Sequence, residues 1–127
     1  MTRIAQGLFA TFAGIVLSGC VSQPMQIAGL EFINDTDMPI MDIELRIVET
    51  YEVAACSYLS PRGKFSTQFP LREYKGNEIE VEWEDRLSRH HFGPKVIPAP
   101  DSILEQPVVA VVSLAPAGHA TTSFRTK

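Results

Sequence analysis

Residues 78–84 alternate between glutamate and a large apolar residue, and this alternation restricts the possible folds more than any other part of the sequence. Ile79, Val81 and Trp83 each stand between two glutamates. Successive side chains of a β-strand point to opposite faces of a sheet, whereas side chains on one face of a helix recur every three or four residues. The segment is therefore predicted to form a strand with one buried face and one face in water.

Similar short runs, separated by turn-forming residues, fill the chain after residue 26. In the run 41–47, Met41, Ile43, Leu45 and Ile47 alternate with charged residues, which again predicts a half-buried strand. Further strands are predicted at 27–33, 51–59, 65–69, 86–92, 108–114 and 119–126, and loops at 71–75 and 95–106. The run 108–114 is nearly all apolar, as is typical of a strand buried on both faces.

About seven or eight short strands with frequent turn signals predict an all-β domain, an antiparallel β-sandwich that resembles the immunoglobulin fold. A small closed β-barrel fits the same pattern nearly as well. The Cys…Trp…Cys spacing of antibody domains is absent, because Cys56 precedes Trp83 and no cysteine follows it. Cys56 and Tyr58 are expected on one side of their strand. The predicted core consists of Phe32, Ile43, Leu45, Ile47, Cys56, Phe69, Ile79, Val81, Trp83, Val109, Val111 and Phe124.

The first 19 residues have the pattern of an export signal. Arg3 is followed by 14 mostly apolar residues, 4–17, and then by the small residues Ser18 and Gly19. A membrane-spanning helix needs about 20 apolar residues, so this stretch is too short to cross a bilayer. We therefore expect a helical signal peptide over residues 1–19, with a buried helix or an uncleaved anchor as the alternative.

The four residues Leu17-Ser18-Gly19-Cys20 end this apolar stretch. They resemble the lipobox of bacterial lipoproteins, in which Leu, then Ala or Ser, then Gly or Ala precede an obligatory Cys. The resemblance implies cleavage between Gly19 and Cys20, a diacylglyceryl thioether on the Cys20 sulfur, and usually a third acyl chain on the freed amine. Each buried methylene adds about 0.8 kcal/mol, so two or three chains anchor a protein stably where one does not.

The expected organisation is a signal peptide at 1–19, a lipidated tether at 20–26 and a β-sandwich domain at 27–127. In lipoproteins of enteric-type bacteria, Asp at the second mature position favours retention in the inner membrane. Val21 therefore points to the outer membrane, with the domain facing the periplasm or the cell surface. The periplasmic face of the inner membrane is the alternative.

Charge and cysteine content narrow the choice of partners. The formal net charge is −4 at pH 7, and removal of Arg3 with the signal lowers it to −5. A chain with this net negative charge has no electrostatic attraction to the phosphates of a nucleic acid, so nucleic-acid binding is not expected. Lipidation of Cys20 would leave Cys56 as the single thiol of the mature chain, without an internal disulfide. Cys56 is predicted to be a small buried apolar residue in a strand.

Two charged clusters are candidate sites, and neither predicts a bound cofactor or metal. The row Glu78, Glu80, Glu82 and Glu84 is expected to be a solvated face crossed by Arg or Lys from neighbouring strands, with a docking face for a basic partner as the alternative. His90 and His91 are adjacent, so they point to opposite faces and cannot easily hold one ion. Zinc needs three or four converging ligands, and the further candidate ligands are His119 and Cys56.

Two loops carry further interpretations. The sequence Asn34-Asp35-Thr36-Asp37 has part of a calcium-loop pattern but lacks the following Gly and Glu, and a turn stabilised by its own side chains explains it more simply. Gly93-Pro94 is predicted to open a long proline-bearing loop. That loop, with residues 102–104, is a candidate contact surface, with an irregular crossing between sheets as the alternative.

The sequence contains no Gly-x-Ser-x-Gly, P-loop, dinucleotide-binding or His-Glu-x-x-His motif. We therefore expect a non-enzymatic, membrane-anchored envelope lipoprotein whose β-domain binds an envelope protein or glycan. The second hypothesis is a periplasmic carrier or sensor of a small ligand, which requires an apolar pocket between the sheets. An enzyme is the third.

Overall fold

A computed structural model describes residues 25–100 and 107–127, which form an all-β sandwich. The signal peptide, Cys20 and residues 102–104 lie outside the described residues. The strands are β1 (Met25–Asn34), β2 (Ile40–Ile47), β3 (Val53–Leu59), β4 (Lys64–Thr67), β5 (Glu73–Tyr74), β6 (Glu78–Glu84), β7 (Arg89–Val96), β8 (Val108–Leu114) and β9 (Ala120–Thr126). A single 3₁₀ turn, Pro116–Gly118, is the only helical element among them, and no described helix is long and apolar enough to cross a bilayer.

The described strands lie in two open sheets, which confirms the predicted sandwich and excludes the closed barrel. Sheet A has the order β9-β8-β1-β4, and β5 pairs with the first two residues of β1. Sheet B has the order β3-β2-β6-β7, with every neighbouring pair antiparallel. The pair β1–β8 is parallel, so sheet A is mixed. Nine strands are present in this part of the chain, slightly more than predicted.

The core lies between the sheets, and 10 of the 12 predicted core residues are buried. The prediction that Val111 belongs to the core is wrong. The residues of β8 that face sheet B are Ala110, Val112 and Leu114, and Val111 lies half-buried on the opposite face. The prediction that β8 is buried on both faces therefore holds only in part. Phe124 is also only half-buried, since it sits on the edge strand β9 and packs against the rim of the core.

A β-bulge at Asp42 changes the alternation predicted for β2. Asp42 has a φ of 51°, and the pairing of β2 with β6 shifts by one residue between Met41 and Glu44. The extra residue puts Ile40 on the same side as Ile43, and both are buried. Met41, predicted to face the core, is half-buried on the other side.

The change in the side-chain alternation of β2 is repeated in β3, because the paired residues of the two strands keep one register. Cys56 and Leu59 lie opposite buried residues of β2 and are themselves buried. Tyr58 is 54% exposed, so the prediction that it shares a face with Cys56 is wrong. Cys56 itself is a buried thiol in a strand, as predicted.

Three boundaries also differ from the predicted ones. The predicted loop 71–75 contains the short strand β5, because Tyr74 is buried there and its hydroxyl accepts a 2.9 Å hydrogen bond from the Ile97 amide. Strand β7 begins three residues later than predicted, since Asp85–Ser88 form a turn. β7 also continues through the cis Gly93–Pro94 bond to Val96, so this dipeptide does not open the long loop.

Asn34, at the end of β1, is fully buried and joins the two sheets. Its Nδ2 donates to the carbonyls of Met38, Leu59 and Ser60 at 2.8, 3.1 and 3.0 Å. Its Oδ1 accepts from the amide and hydroxyl of Thr36 at 3.0 and 2.6 Å. The predicted turn stabilised by its own side chains is thus confirmed. The Asn34 side-chain amide also fixes the chain where β3 leaves sheet B.

Replacing Asn34 with Ala should lower the free energy of unfolding by about 3 kcal/mol, because several buried carbonyls and an amide would lose their partner. Asp37→Ala in the same loop is the matched control. The Asp37 carboxylate is 88% exposed and pairs only with exposed Arg62, so its removal should cost less than about 1 kcal/mol. Urea unfolding followed by Trp83 fluorescence measures both, and equal losses would contradict this role of Asn34.

Candidate functional site

The glutamate row of β6 lies on the outer face of sheet B, where Arg46 of β2 crosses it. The Arg46 guanidinium lies 3.2 Å from Glu44, 3.6 Å from Glu80 and 3.8 Å from Glu82. β2 pairs with β6 in a register that sets Arg46 directly opposite Glu80. Cross-strand pairs of opposite charge stabilise a sheet modestly, and here one cation serves three carboxylates.

Arg89 of β7 crosses the same row from the other side. Its guanidinium lies 2.9 Å from Glu82 and 3.8 Å from Glu84. The hydrogen bond from Arg89 is the main reason that the pKa of Glu82 is lowered, and Arg46 adds to the effect. A general acid needs a raised pKa, so this carboxylate is unsuited to that task. The prediction of a solvated face crossed by arginines is confirmed.

His90, Asp85 and Ser88 come together at the turn between β6 and β7. The His90 Nε2 lies 2.8 Å from the Asp85 carboxylate and 3.4 Å from the Ser88 hydroxyl. The imidazole packs on the indole of Trp83, with ring centroids 5.4 Å apart. These are the three residue types of a serine-hydrolase triad, and their grouping was not predicted from the sequence. The spacing Asp-x-x-Ser is a turn signal that pointed to this site.

The geometry does not match a catalytic relay. In a triad, one imidazole nitrogen faces the nucleophile and the other faces the carboxylate. Here the carboxylate and the hydroxyl both approach Nε2 of His90. The other nitrogen, Nδ1, lies against Gly118, where an added Cβ would be only 2.7 Å away. The cluster instead joins the β6–β7 turn to the turn before β9.

Asp85 is the electrostatic centre of this cluster. Burial by itself would raise its pKa, but hydrogen bonds from the Ser88 amide, the His90 ring and the Leu87 amide together outweigh burial, and the pKa is lowered. The two amides donate to Oδ1 at 2.9 and 2.7 Å, and the imidazole contacts Oδ2. The carboxylate is thus held as an anion by the turn that it closes.

The histidines separate as predicted. His91 points to the outer face of sheet B, 3.1 Å from Glu80, whereas His90 lies half-buried under Trp83. His119 is exposed. The Cys56 thiol is buried and donates to the Tyr58 carbonyl at 3.4 Å. Among residues 25–100 and 107–127, no three His, Cys, Asp or Glu side chains are arranged to hold a metal ion.

An open groove of about 500 Å³ lies at the end of the sandwich where β1 begins. It is lined by Gln26, Leu71, Arg72, Glu73, Lys75 and Asn77. Gln26 comes from β1, Glu73 from β5, and the other lining residues from the segments on either side of β5. Gln26 Nε2 donates to the Glu73 carboxylate at 3.0 Å. The groove could not be predicted from the sequence, because it depends on pairing between residues 47 positions apart. The groove lies on the surface, whereas the carrier hypothesis requires an apolar pocket between the sheets.

The described part of the predicted contact loop is partly built into the domain. Ile97 is buried, and its amide donates to the Tyr74 hydroxyl, which in turn donates to the Asn77 carbonyl. The Tyr74 ring packs edge-on against Phe69 and Phe124 at centroid distances of 6.1 and 5.2 Å. Burial raises the pKa of Tyr74. The start of this loop therefore closes the end of the core.

Comparison with known proteins adds little. No family model matches the chain, and no curated protein sequence matches it. A protein from Eubacterium rectale, solved by NMR, is similar with a TM-score of 0.47 and 7% sequence identity. The match covers 84% of this chain and 92% of that chain. A likeness at this level carries no argument, so the site is interpreted from its own geometry.

Gly118→Ala should destabilise the domain more than Gly76→Ala. Both glycines have a φ of 78°, so both substitutions carry the same backbone penalty of about 1–2 kcal/mol. Only at Gly118 does the added methyl also meet the His90 ring, whereas nothing lies within 4 Å at Gly76. The difference in unfolding free energy, measured in urea, isolates that contact. Equal losses at the two positions would show that the His90 ring moves freely.

Asp85→Asn should reduce the loss of stability in acid. Because the folded pKa of Asp85 lies below its unfolded value, its carboxylate stabilises the fold above about pH 4 and loses that effect as pH falls through the folded pKa. Asn keeps the acceptor for the two turn amides. The stability gap between the two proteins should therefore narrow from pH 6 to pH 2.5 in urea titrations. A gap independent of pH would contradict the lowered pKa.

Proposed function

We propose that this chain is the precursor of an envelope lipoprotein, anchored by lipids on Cys20 and carrying a non-enzymatic β-sandwich domain. The observation that carries the proposal is the motif Leu17-Ser18-Gly19-Cys20 at the end of a short apolar export signal. Residues 1–19 are removed, and the mature chain begins at the lipidated cysteine. Because Val21 follows Cys20, the protein is sorted to the outer membrane.

The position of the domain relative to Cys20 supports this arrangement. Strand β1 begins at Met25, five residues after Cys20, and its first two residues are already paired with β5. Five extended residues span about 17 Å at most. The end of the sandwich where β1 begins is thus kept close to the bilayer surface. β1 is 10 residues long, so the loops at its other end lie about 30 Å further along the strand.

The chemistry of the described side chains favours a binding or structural role over catalysis. The glutamates of β6 are paired with arginines, and the Cys56 thiol is buried. The Asp85 carboxylate and the Ser88 hydroxyl both contact the same nitrogen of His90, Nε2. An acid or base in an active site needs a pKa tuned towards neutral pH, whereas the pKa values of the Glu82 and Asp85 carboxylates are lowered by their hydrogen-bond partners. The domain's partner is an envelope protein or glycan.

Cys20→Ser in the full-length chain tests the anchor. The wild-type protein should incorporate labelled fatty acid, run as the processed form and fractionate with the outer membrane. Without the thiol there is no acceptor for the glyceryl group, so the variant should lose the label and remain an unprocessed precursor.

Cys56→Ser is the matched control, because it removes the other cysteine and leaves the signal intact. It should keep the label, the processed size and the outer-membrane fraction. A Cys20→Ser protein that is still processed and still carries the label would rule out the proposal, while inner-membrane fractionation of the wild type would overturn only the sorting.

A further inference from the structure

Tyr51 is an exposed aromatic residue in a backbone conformation that glycine adopts more readily. It lies in the turn between β2 and β3, where its amide donates to the Ile47 carbonyl at 2.8 Å. Its φ is 62°, in the left-handed region that is unfavourable for a bulky residue with a Cβ. The side chain is 76% exposed, so it gains little from packing in the domain. Nothing in the described part of the fold therefore requires a tyrosine here.

The turn that carries Tyr51 lies at the end of the sandwich where β1 begins. The Val48 amide donates to the carbonyl of Glu78, the first residue of β6, at 3.0 Å. The Asn77 side chain donates to the Glu49 carboxylate at 2.5 Å. Asn77 also lines the groove beside β5, and β5 pairs with the first two residues of β1. These contacts place Tyr51 at the same end of the domain as the start of β1.

Two more exposed apolar side chains lie at this end of sheet B. Val53 is the first residue of β3, and Val96 is the last residue of β7 and pairs with the first residue of β6. β3 and β7 are the two edge strands of sheet B, so the three apolar residues span its width. The other exposed large apolar residues of the described chain lie apart from this row, and they are Tyr58, Phe65 and Leu87.

The same end lies beside the residue that would carry the lipids. Cys20 precedes the first residue of β1 by five positions, which span about 17 Å at most. β6 has 7 residues, so the turn 85–88 at its other end lies about 20 Å further along the strand. With acyl chains of Cys20 in the bilayer, the Tyr51 end can rest on the headgroups. The opposite end can reach them only if the domain lies on its side.

We propose that the domain stands on the bilayer by this end, with Tyr51 at the membrane–water interface and Val53 and Val96 on either side of it. The partner is the layer of phospholipid headgroups. Tyrosine is enriched at membrane interfaces because its ring is apolar and its hydroxyl is polar. This docking rests on the proposed lipidation of Cys20, and it specifies the orientation and the contact residue of the anchored domain.

The charges at this end are of both signs, which suits zwitterionic headgroups. Arg72 and Lys75 line the groove beside β5, and Glu73 lines it between them. Lys95 of β7 and Glu49 of the β2–β3 turn are exposed as well. The cations can contact a lipid phosphate, and the carboxylates can contact a lipid ammonium group. The docking therefore needs no anionic lipid, although the chain as a whole is acidic.

A weak contact is enough to hold this orientation. A short tether gives the group that it carries an effective concentration in about the millimolar range. Transfer of about half of the Tyr51 ring out of water corresponds to about a tenfold change in the ratio of docked to undocked domains. Replacing Tyr51 with glycine should therefore lower that ratio about tenfold.

Fluorescence quenching in vesicles tests the orientation. The full-length chain is purified from membranes and placed in vesicles of phosphatidylethanolamine and phosphatidylcholine that contain nitroxide-labelled headgroups. In a Cys56→Ser background, a fluorophore is attached to one of three exposed positions through Thr50→Cys, Ser57→Cys or Arg86→Cys. Position 50 adjoins Tyr51, position 57 lies on β3, and position 86 lies in the turn at the opposite end. We expect at least about threefold more quenching at position 50 than at 57 or 86, because the nitroxides act only at close range.

Tyr51→Gly with the fluorophore at position 50 separates membrane contact from folding. Glycine suits a φ of 62°, so the variant should unfold at the same or a higher urea concentration while its quenching falls. Tyr51→Trp should restore the quenching, since tryptophan also prefers the membrane interface. Leu87→Gly is the matched control, because Leu87 is 80% exposed at the other end of the domain. It should leave the quenching at position 50 unchanged.

The intact mass of the same preparation separates this docking from the proposed function. A chain without diacylglyceryl on Cys20 would overturn the anchor and the docking together. With the lipid present, equal quenching at positions 50, 57 and 86 or no quenching at position 50 would overturn the docking and leave the anchor intact. Stronger quenching at position 57 than at 50, or quenching at position 50 that survives Tyr51→Gly, would do the same.

Discussion

The buried side-chain amide of Asn34 fixes two of the places where the chain passes from one sheet to the other. One is the turn from β1 to β2, which the side chain of Asn34 closes through Thr36 and Met38. The other is the end of β3, whose last carbonyls accept from the same amide. Small exported domains often use a disulfide for such a joint. Here Cys56 is the only cysteine in the described residues, and hydrogen bonds of the Asn34 side chain connect the two sheets instead.

The runs of apolar residues between turn signals were enough to predict the sandwich, because four of the predicted runs are strands of the core. β1, β2, β6 and β8 carry most of the core, and their bounds agree with the predicted runs to within two residues. Where the backbone departs from regular geometry, the pattern fails. The bulge at Asp42 moves Ile40 inward and turns Tyr58 outward, and nothing in the residue types of this stretch indicates it.

The candidate site was less predictable than the fold, because it is made by pairs from different strands. Ion pairs between the glutamate row and Arg or Lys of neighbouring strands were predicted, and the partners are Arg46 and Arg89. An exposed row of carboxylates attracts the basic side chains of the strands beside it. The stack of His90 on Trp83 was not expected, because it needs the register of β6 and β7. The groove beside β5 likewise needed a strand of two residues that no periodicity predicts.

These features give the domain three distinct surfaces: a charge-paired face on sheet B, an uncharged edge at β3, and an end near Met25 that lies five residues from Cys20. The account of the whole molecule depends on the chemistry at Cys20. Intact-mass spectrometry of the protein purified from membranes examines it most directly. The account predicts a polypeptide of residues 20–127 carrying diacylglyceryl, with or without a further acyl chain. A mass equal to the unmodified chain from Met1, or to a cleaved chain without lipid, would contradict it.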